Sequence, residues 1–159
     1  MKNIKFSRLF AAMMVVACLA FVGCKQPEDE TKKEVSIYGT WVSSYGEKYV
    51  ITPSDYDNYY TYNGDFTLYY STNNLLVKVI DKSSGIIFGQ FDDANHLGSG
   101  ANKGQWYALM YTDLKEDSVN LWQPWKEGGK AACTTVDEAV AEFTVDNGYF
   151  GSPSACTKQ

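Results

Sequence analysis

Tyr59-Tyr60-Thr61-Tyr62-Asn63-Gly64-Asp65-Phe66-Thr67-Leu68-Tyr69-Tyr70-Ser71 is the stretch that decides the fold class. Asn63-Gly64 is the strongest short signal for a two-residue hairpin turn, since both residue types tolerate positive φ. After the turn the alternation is clean, with Phe66, Leu68 and Tyr70 on one face and Thr67, Tyr69 and Ser71 on the other. Before it, 57–62 is rich in the aromatic residues that suit a pleated surface. Two such runs joined by such a turn make an antiparallel hairpin.

The pattern continues on both sides. Upstream, strands are expected at 38–43 and, after Tyr45-Gly46, at 47–52. Downstream, Asn73-Asn74 reads as a turn between strands 65–71 and 75–81, and Ser83-Ser84-Gly85 leads into 86–91. A long loop, 92–104, separates these from strands at 105–112 and 118–123. About eight short strands with hairpin links favour a mainly β fold, an antiparallel up-and-down eight-stranded barrel, because closure removes exposed edges. A two-sheet sandwich is the alternative. Beyond Gly128-Gly129 the period changes: Val136, Ala139, Val140 and Phe143 fall on one helical face, and Thr135 with Glu138 forms a capping box. One C-terminal helix, about 135–145, is expected to pack outside the barrel.

The chain opens differently. Lys2, Lys5 and Arg8 precede an uncharged apolar run, 9–22, too short to span a bilayer and typical of an export signal. The run ends in Leu19-Ala20-Phe21-Val22-Gly23-Cys24, which resembles the lipobox of bacterial lipoproteins. The resemblance implies a signal peptide at 1–23, cleavage before Cys24 and acylation, such as by palmitate, of that thiol. Several acyl chains on one residue suffice for stable anchoring. Residues 24–36 are then a lipidated, charged tether and 37–159 the folded domain. Lys25 follows the cysteine, and the Asp associated with inner-membrane retention is absent, which favours the outer membrane.

From Cys24 onward there are eleven lysines, no arginine and nineteen acids, a net charge of −8. Such a chain is poorly suited to nucleic acid, where the arginine fork is favoured. All twelve tyrosines and four tryptophans lie in this portion. Cys133 and Cys156 meet an oxidising compartment after export, where a disulfide is expected; two free thiols, as in an anaerobe, are the alternative. With only two such cysteines and one histidine, structural zinc is not expected.

With the strands placed, Gly39-Thr40-Trp41 stands where lipocalins and related calycins carry a Gly-x-Trp signature, and Thr112-Asp113 resembles their Thr-Asp pair. This resemblance implies that Gly39 and Trp41 close one end of a barrel. The family's third motif, an arginine stacked on the tryptophan, has no arginine to serve it here, so that contact is missing or made by a lysine. Segment 39–52, the Gln105-Trp106-Tyr107-Ala108 strand and the late helix are also similar to lipocalin-like domains of small spirochaete-type lipoproteins.

The candidate ligand contacts are aromatic: Trp106, Trp122, Trp125, Tyr60 and Tyr62. Trp122 and Trp125 flank Pro124 and either rim a barrel mouth or seat the helix. The tyrosines of 56–70 either form an outward recognition row or pair across strands. Loop 92–100 holds Asp92, Asp93, Asn95 and the sole histidine, His96, but fails the calcium-loop spacing. His96 has no nucleophile and acid at a recognisable spacing. No catalytic residue, metal or cofactor is therefore expected. The reading is a monomeric, membrane-anchored binding protein, not an enzyme, holding a small apolar or aromatic ligand in an interior cavity of the barrel behind a mouth lined by aromatic residues. The alternatives are a surface module for a host or envelope protein or glycan, and an inhibitor of a lysozyme-like enzyme.

Overall fold

The computed structural model describes residues 35–93 and 101–159. The expected signal and tether, Cys24 and most of the loop containing His96 lie outside the described residues. The elements in chain order are β1 (Gly39–Ser43), β2 (Glu47–Ile51), β3 (Tyr56–Tyr62), β4 (Asp65–Asp81), β5 (Ser84–Asp93), β6 (Trp106–Thr112), β7 (Ser118–Trp122), α1 (Val136–Glu142) and β8 (Ser154–Lys158). The strands form a closed antiparallel barrel in sequence order, with β8 pairing both β7 and β1.

The barrel has the expected eight strands, but two elements differ from the sequence reading. Asn73-Asn74 is not a turn. Asn74 takes φ 53° inside one continuous 17-residue strand, and the pairing register shifts between Asn73 and Leu76. The extra residues form a bulge that bends β4. Its first part pairs with β3 and its later part with β5. The eighth strand comes after the helix, where the short segment Ser154–Lys158 closes the sheet. The Asn63-Gly64 hairpin forms as read, with φ 52° and 94°.

Inward-facing residues follow from register. Trp41, Tyr49 and Asn58 share one row, as do Ile51 and Tyr56, and Thr72 faces Phe91. All are almost fully buried. With Tyr70, Ile87, Leu109 and Leu121 they fill the barrel centre with the protein's own side chains, so the interior cavity expected for a ligand is replaced by a packed core.

β5 and β6 are buried on both faces. Phe88 and Ala108 sit on the face opposite Ile87 and Leu109, yet both are fully buried. Helix α1 packs on these two strands and presents the buried Ala139. A strand covered on both sides reads as a near-continuous apolar run, which is how Ile86-Ile87-Phe88 and Tyr107-Ala108-Leu109-Met110 read. The helix starts as expected: the Thr135 hydroxyl accepts the Glu138 N–H at 3.2 Å, and the Glu138 carboxylate accepts the Thr134 N–H at 2.9 Å. It is shorter than 135–145. Phe143 ends it, and the Asn147 side-chain amide donates to the Ala141 and Glu142 carbonyls.

The expected Cys133–Cys156 disulfide is not formed; both thiols are free and buried. Cys133 exchanges two backbone hydrogen bonds with Trp106 at the start of β6. Cys156 lies on β8, next to Ala155, which aligns through Asn120 with Thr112 at the other end of β6. Six residues of strand separate those levels, roughly 20 Å, whereas a bridge needs Cα atoms within about 7 Å. Burial, aided by nearby carboxylates, pushes the Cys133 thiol up to about 11 and the Cys156 thiol up to about 12, so neither is a reactive thiolate near neutrality.

Candidate functional site

The two barrel ends are built differently. The lower end is where β1 begins and where β4 turns into β5. There Trp41 is fully buried and its indole N–H donates to the Ile37 carbonyl at 2.7 Å. Lys158, brought alongside by β8, places its ammonium 5.1 Å from the Trp41 ring centre. A lysine therefore stacks on the tryptophan, residues 24–159 having no arginine to do so. Gly39 has φ 147°, and a Cβ on it would stand 2.9 Å from Lys158 Cε. The Gly39-x-Trp41 spacing thus leaves room for the lysine stem that crosses to the indole. Thr112-Asp113 sits at the same end: Asp113 takes φ 53° and accepts the Asn120 side-chain amide at 2.9 Å.

The upper end carries the 44–46 and 63–64 turns and the segment from β7 to β8. A recess of about 390 Å³ opens here, lined by Tyr69, Tyr107, Gln123, Trp125, Lys126 and Lys130 among others. Tyr69 is the bulge residue of β4, skipped where Asn58 pairs Tyr70 and Tyr59 pairs Leu68. Its ring meets Tyr60 edge-on at 5.7 Å. Tyr107 stacks on Phe91 at 5.1 Å and meets Phe143 edge-on, while its hydroxyl donates to the Pro124 carbonyl. Trp125 is held by its backbone N–H on the Tyr149 carbonyl, and its side chain is 76 % exposed.

Beneath the recess lies a polar cluster. The Gln123 amide donates to the Tyr49 hydroxyl at 2.9 Å and to Glu47 at 3.2 Å, and Ser154 donates to the other Glu47 oxygen at 2.5 Å. Burial, then the Glu47 carboxylate, drives the Tyr49 phenol far above its ordinary value. Deeper still, the Tyr56 hydroxyl, the Tyr70 hydroxyl and Asn58 Nδ2 are buried without a hydrogen-bond partner. The Tyr107 phenol opposes ionisation of the Tyr56 hydroxyl, while the Tyr70 and Thr72 hydroxyls lie near enough to favour it weakly, but no contact to either reaches hydrogen-bond geometry. Desolvation raises both phenols well above their usual range. At neutral pH the set holds neutral phenols, the Gln123 and Asn58 amides and the Glu47 carboxyl group.

The five aromatic candidates separate. Tyr60 and Trp125 belong to the upper end, Tyr60 through Tyr69. Tyr62 stands exposed beside the 63–64 turn. Trp106 and Trp122 do not join them. Trp106 shares the outward row with Gln90, and Trp122 faces outward opposite Met110, its indole N–H on Thr112 Oγ1. Of the tyrosines of 56–70, Tyr56 and Tyr70 point inward, as alternation requires of about half of them, and Lys48 covers Tyr59. Gln123 and Tyr107 escaped the sequence reading as site residues, whereas Tyr69 entered it among the tyrosines of 56–70. Gln123 lay between the two flagged tryptophans, and inward alternation of Glu47, Tyr49 and Ile51 was the available signal for its partners.

Two further depressions exist. One, on the outer wall between β1, β8 and β7, is lined mainly by short side chains such as Ser118, Ala155 and Thr157. The other, of about 570 Å³, is at the lower end around Val35, Tyr38, Val79 and Tyr111. Among the described residues no group of three or more His, Cys, Asp or Glu could hold a metal, and no helix is long and apolar enough to cross a membrane. No protein-family model matches the chain, and no curated protein or solved structure matches it significantly.

Proposed function

We propose that this is a lipid-anchored, lipocalin-like binding protein, acylated at Cys24, that holds a small ligand with a flat aromatic or apolar face at the upper mouth of its barrel. The observation that carries the binding reading is the mouth recess itself. Three aromatic side chains, Tyr69, Tyr107 and Trp125, stand around the Gln123 amide. Ligand sites combine such apolar faces with a few fixed polar groups. The barrel centre is occupied by Trp41, Tyr49, Tyr56 and Tyr70, so the ligand sits at the mouth and not in the core. The Gly39–Trp41–Lys158 arrangement supports the lipocalin-like relationship. The anchor rests on the lipobox-like run before Cys24.

Native mass spectrometry of the domain 36–159, purified gently from its own host, tests the binding reading. A reproducible added mass that denaturation removes, and that Trp125→Ala loses, supports it. A bare mass for the unmodified domain rejects it. For the anchor, Cys24→Ala is expected to abolish incorporation of labelled palmitate and to release the protein from the membrane fraction. Unchanged membrane retention would reject the anchor.

A second reading, as a surface module for a glycan or protein, is favoured by one observation. Tyr45 and Tyr62 are both strongly exposed, on turns tied together by the Thr61 N–H and hydroxyl on the Gly46 carbonyl. Loss of partner or glycan-array binding in Tyr45→Ala/Tyr62→Ala, with the mouth ligand retained, would favour this reading.

A further inference from the structure

The geometry points to the lower barrel end as a surface that docks on the bilayer, leaving the mouth facing away from it; this rests on acylation of Cys24. Val35, Tyr38 and Val79 surround the lower recess, which is floored by Val77, Tyr111 and Leu114. Val79 is 67 % exposed and Ile80 54 % exposed, at the tip of the β4–β5 hairpin. A hairpin tip in a soluble protein ordinarily carries polar residues. Here two β-branched aliphatics stand in water beside an apolar recess.

The charges around the tip suit a lipid surface. Lys78 and Lys82 flank the two aliphatics, and Lys82 lines the recess. Long basic side chains beside apolar ones are the arrangement that snorkels at headgroups. The one acid between them, Asp81, has its carboxylate engaged by the Ser83 N–H and hydroxyl. The exposed groups of the tip are therefore two cations, two aliphatics and one internally bonded acid, on a chain that is acidic overall.

Chain connectivity selects the bilayer as the occupant. Residues 25–34 lie between Cys24 and Val35. In any conformation those eleven steps span at most about 40 Å. The chain enters the barrel at Val35, on the rim of this same recess. An acyl group at Cys24 thus tethers the domain through its lower end, so that this end meets the headgroups more often than the mouth does. A weak apolar contact then acts intramolecularly, at the high effective concentration that a short connection gives.

The test uses the full, lipidated chain in vesicles of phosphatidylethanolamine and phosphatidylglycerol. Val79→Cys, Ile80→Cys and Tyr62→Cys each carry an environment-sensitive nitrobenzoxadiazole dye on the introduced thiol; Cys133 and Cys156 are buried. The expected result is flotation with the vesicles, blue-shifted emission shielded from aqueous iodide at positions 79 and 80, and water-like emission at 62. Flotation with water-like emission at both 79 and 80 would overturn the docking while leaving the anchor intact. Absence of flotation would overturn the anchor, and the docking with it.

Discussion

Replacing Tyr70 with Phe should leave the protein as stable as before or more so. The Tyr70 ring is fully buried and meets Tyr56, Phe91 and Tyr107 edge-on within 5.9 Å. Phe keeps all of these contacts. Only the hydroxyl is lost, and it has no hydrogen-bond partner. A buried polar group left unpaired costs about 1–3 kcal/mol. Removing one oxygen opens a void of roughly 10–15 Å³, which costs about 0.3 kcal/mol at about 24 cal/mol per Å³. The net expectation is a gain of about 1 kcal/mol, or roughly 3–5 °C in Tm for a domain of this size. Tyr49→Phe is the control, because it deletes the hydroxyl that accepts from Gln123, and it should cost about 1 kcal/mol. Urea unfolding followed by tryptophan fluorescence measures both. A loss of 1 kcal/mol or more in Tyr70→Phe would refute the reasoning. It would mean that the hydroxyl is paired, with the Tyr56 hydroxyl, an ordered water or a bound molecule in the barrel centre.

Lys158→Ala should destabilise the barrel by about 0.5–1 kcal/mol through loss of the contact over Trp41, since Lys158 is exposed, and Lys158→Arg should restore most of it; equal stability of all three proteins in urea would show that the contact contributes nothing. Gly39→Ala should cost about 1–3 kcal/mol, since an alanine at φ 147° is strained, and the loss should shrink in a Lys158→Ala background where the 2.9 Å clash is gone. Strict additivity in that double-mutant cycle would refute the clash. Stability should be flat through neutral pH and fall above about pH 9. The unfolded thiols lose protons near 9.0, whereas Cys133 holds its proton to about 11 and Cys156 to about 12, so above pH 9 the unfolded chain binds fewer protons and is favoured. A Tm independent of pH from 8 to 11 would contradict this. Thr135→Ala should cost about 1 kcal/mol by removing the N-cap, and an unchanged urea midpoint would show that α1 does not depend on its cap.

Much of the barrel was legible along the chain because hairpins are local. Asn63-Gly64 declares its turn by backbone chemistry, but the clean alternation of 65–71 does not survive, because the Tyr69 bulge turns Tyr70 inward and leaves Phe66 and Leu68 on the other face. The Asn73-Asn74 misreading has a physical cause. An asparagine at positive φ serves a turn or a bulge equally well, and only pairing with both β3 and β5 distinguishes them. The mouth was legible in part. Trp125 and Tyr60 announced themselves as aromatics, whereas Gln123 acquires its meaning only when β2 brings Glu47 and Tyr49 beneath it.

The sequence by itself determined the class, the 63–64 turn, the capped helix and the signature around Trp41, since each depends on neighbours within a few residues. Tertiary structure alone decided the rest. Ser154–Lys158 carries little strand signal of its own, and it becomes a strand because β1 and β7 both present unpaired edges to it. That closure sets Lys158 on Trp41 and holds the two cysteines at opposite ends of β6. It also packs the barrel centre with tyrosines, so that the proposed ligand is placed at the mouth. These contacts join residues far apart in the chain, and no local propensity specifies which distant partner will arrive.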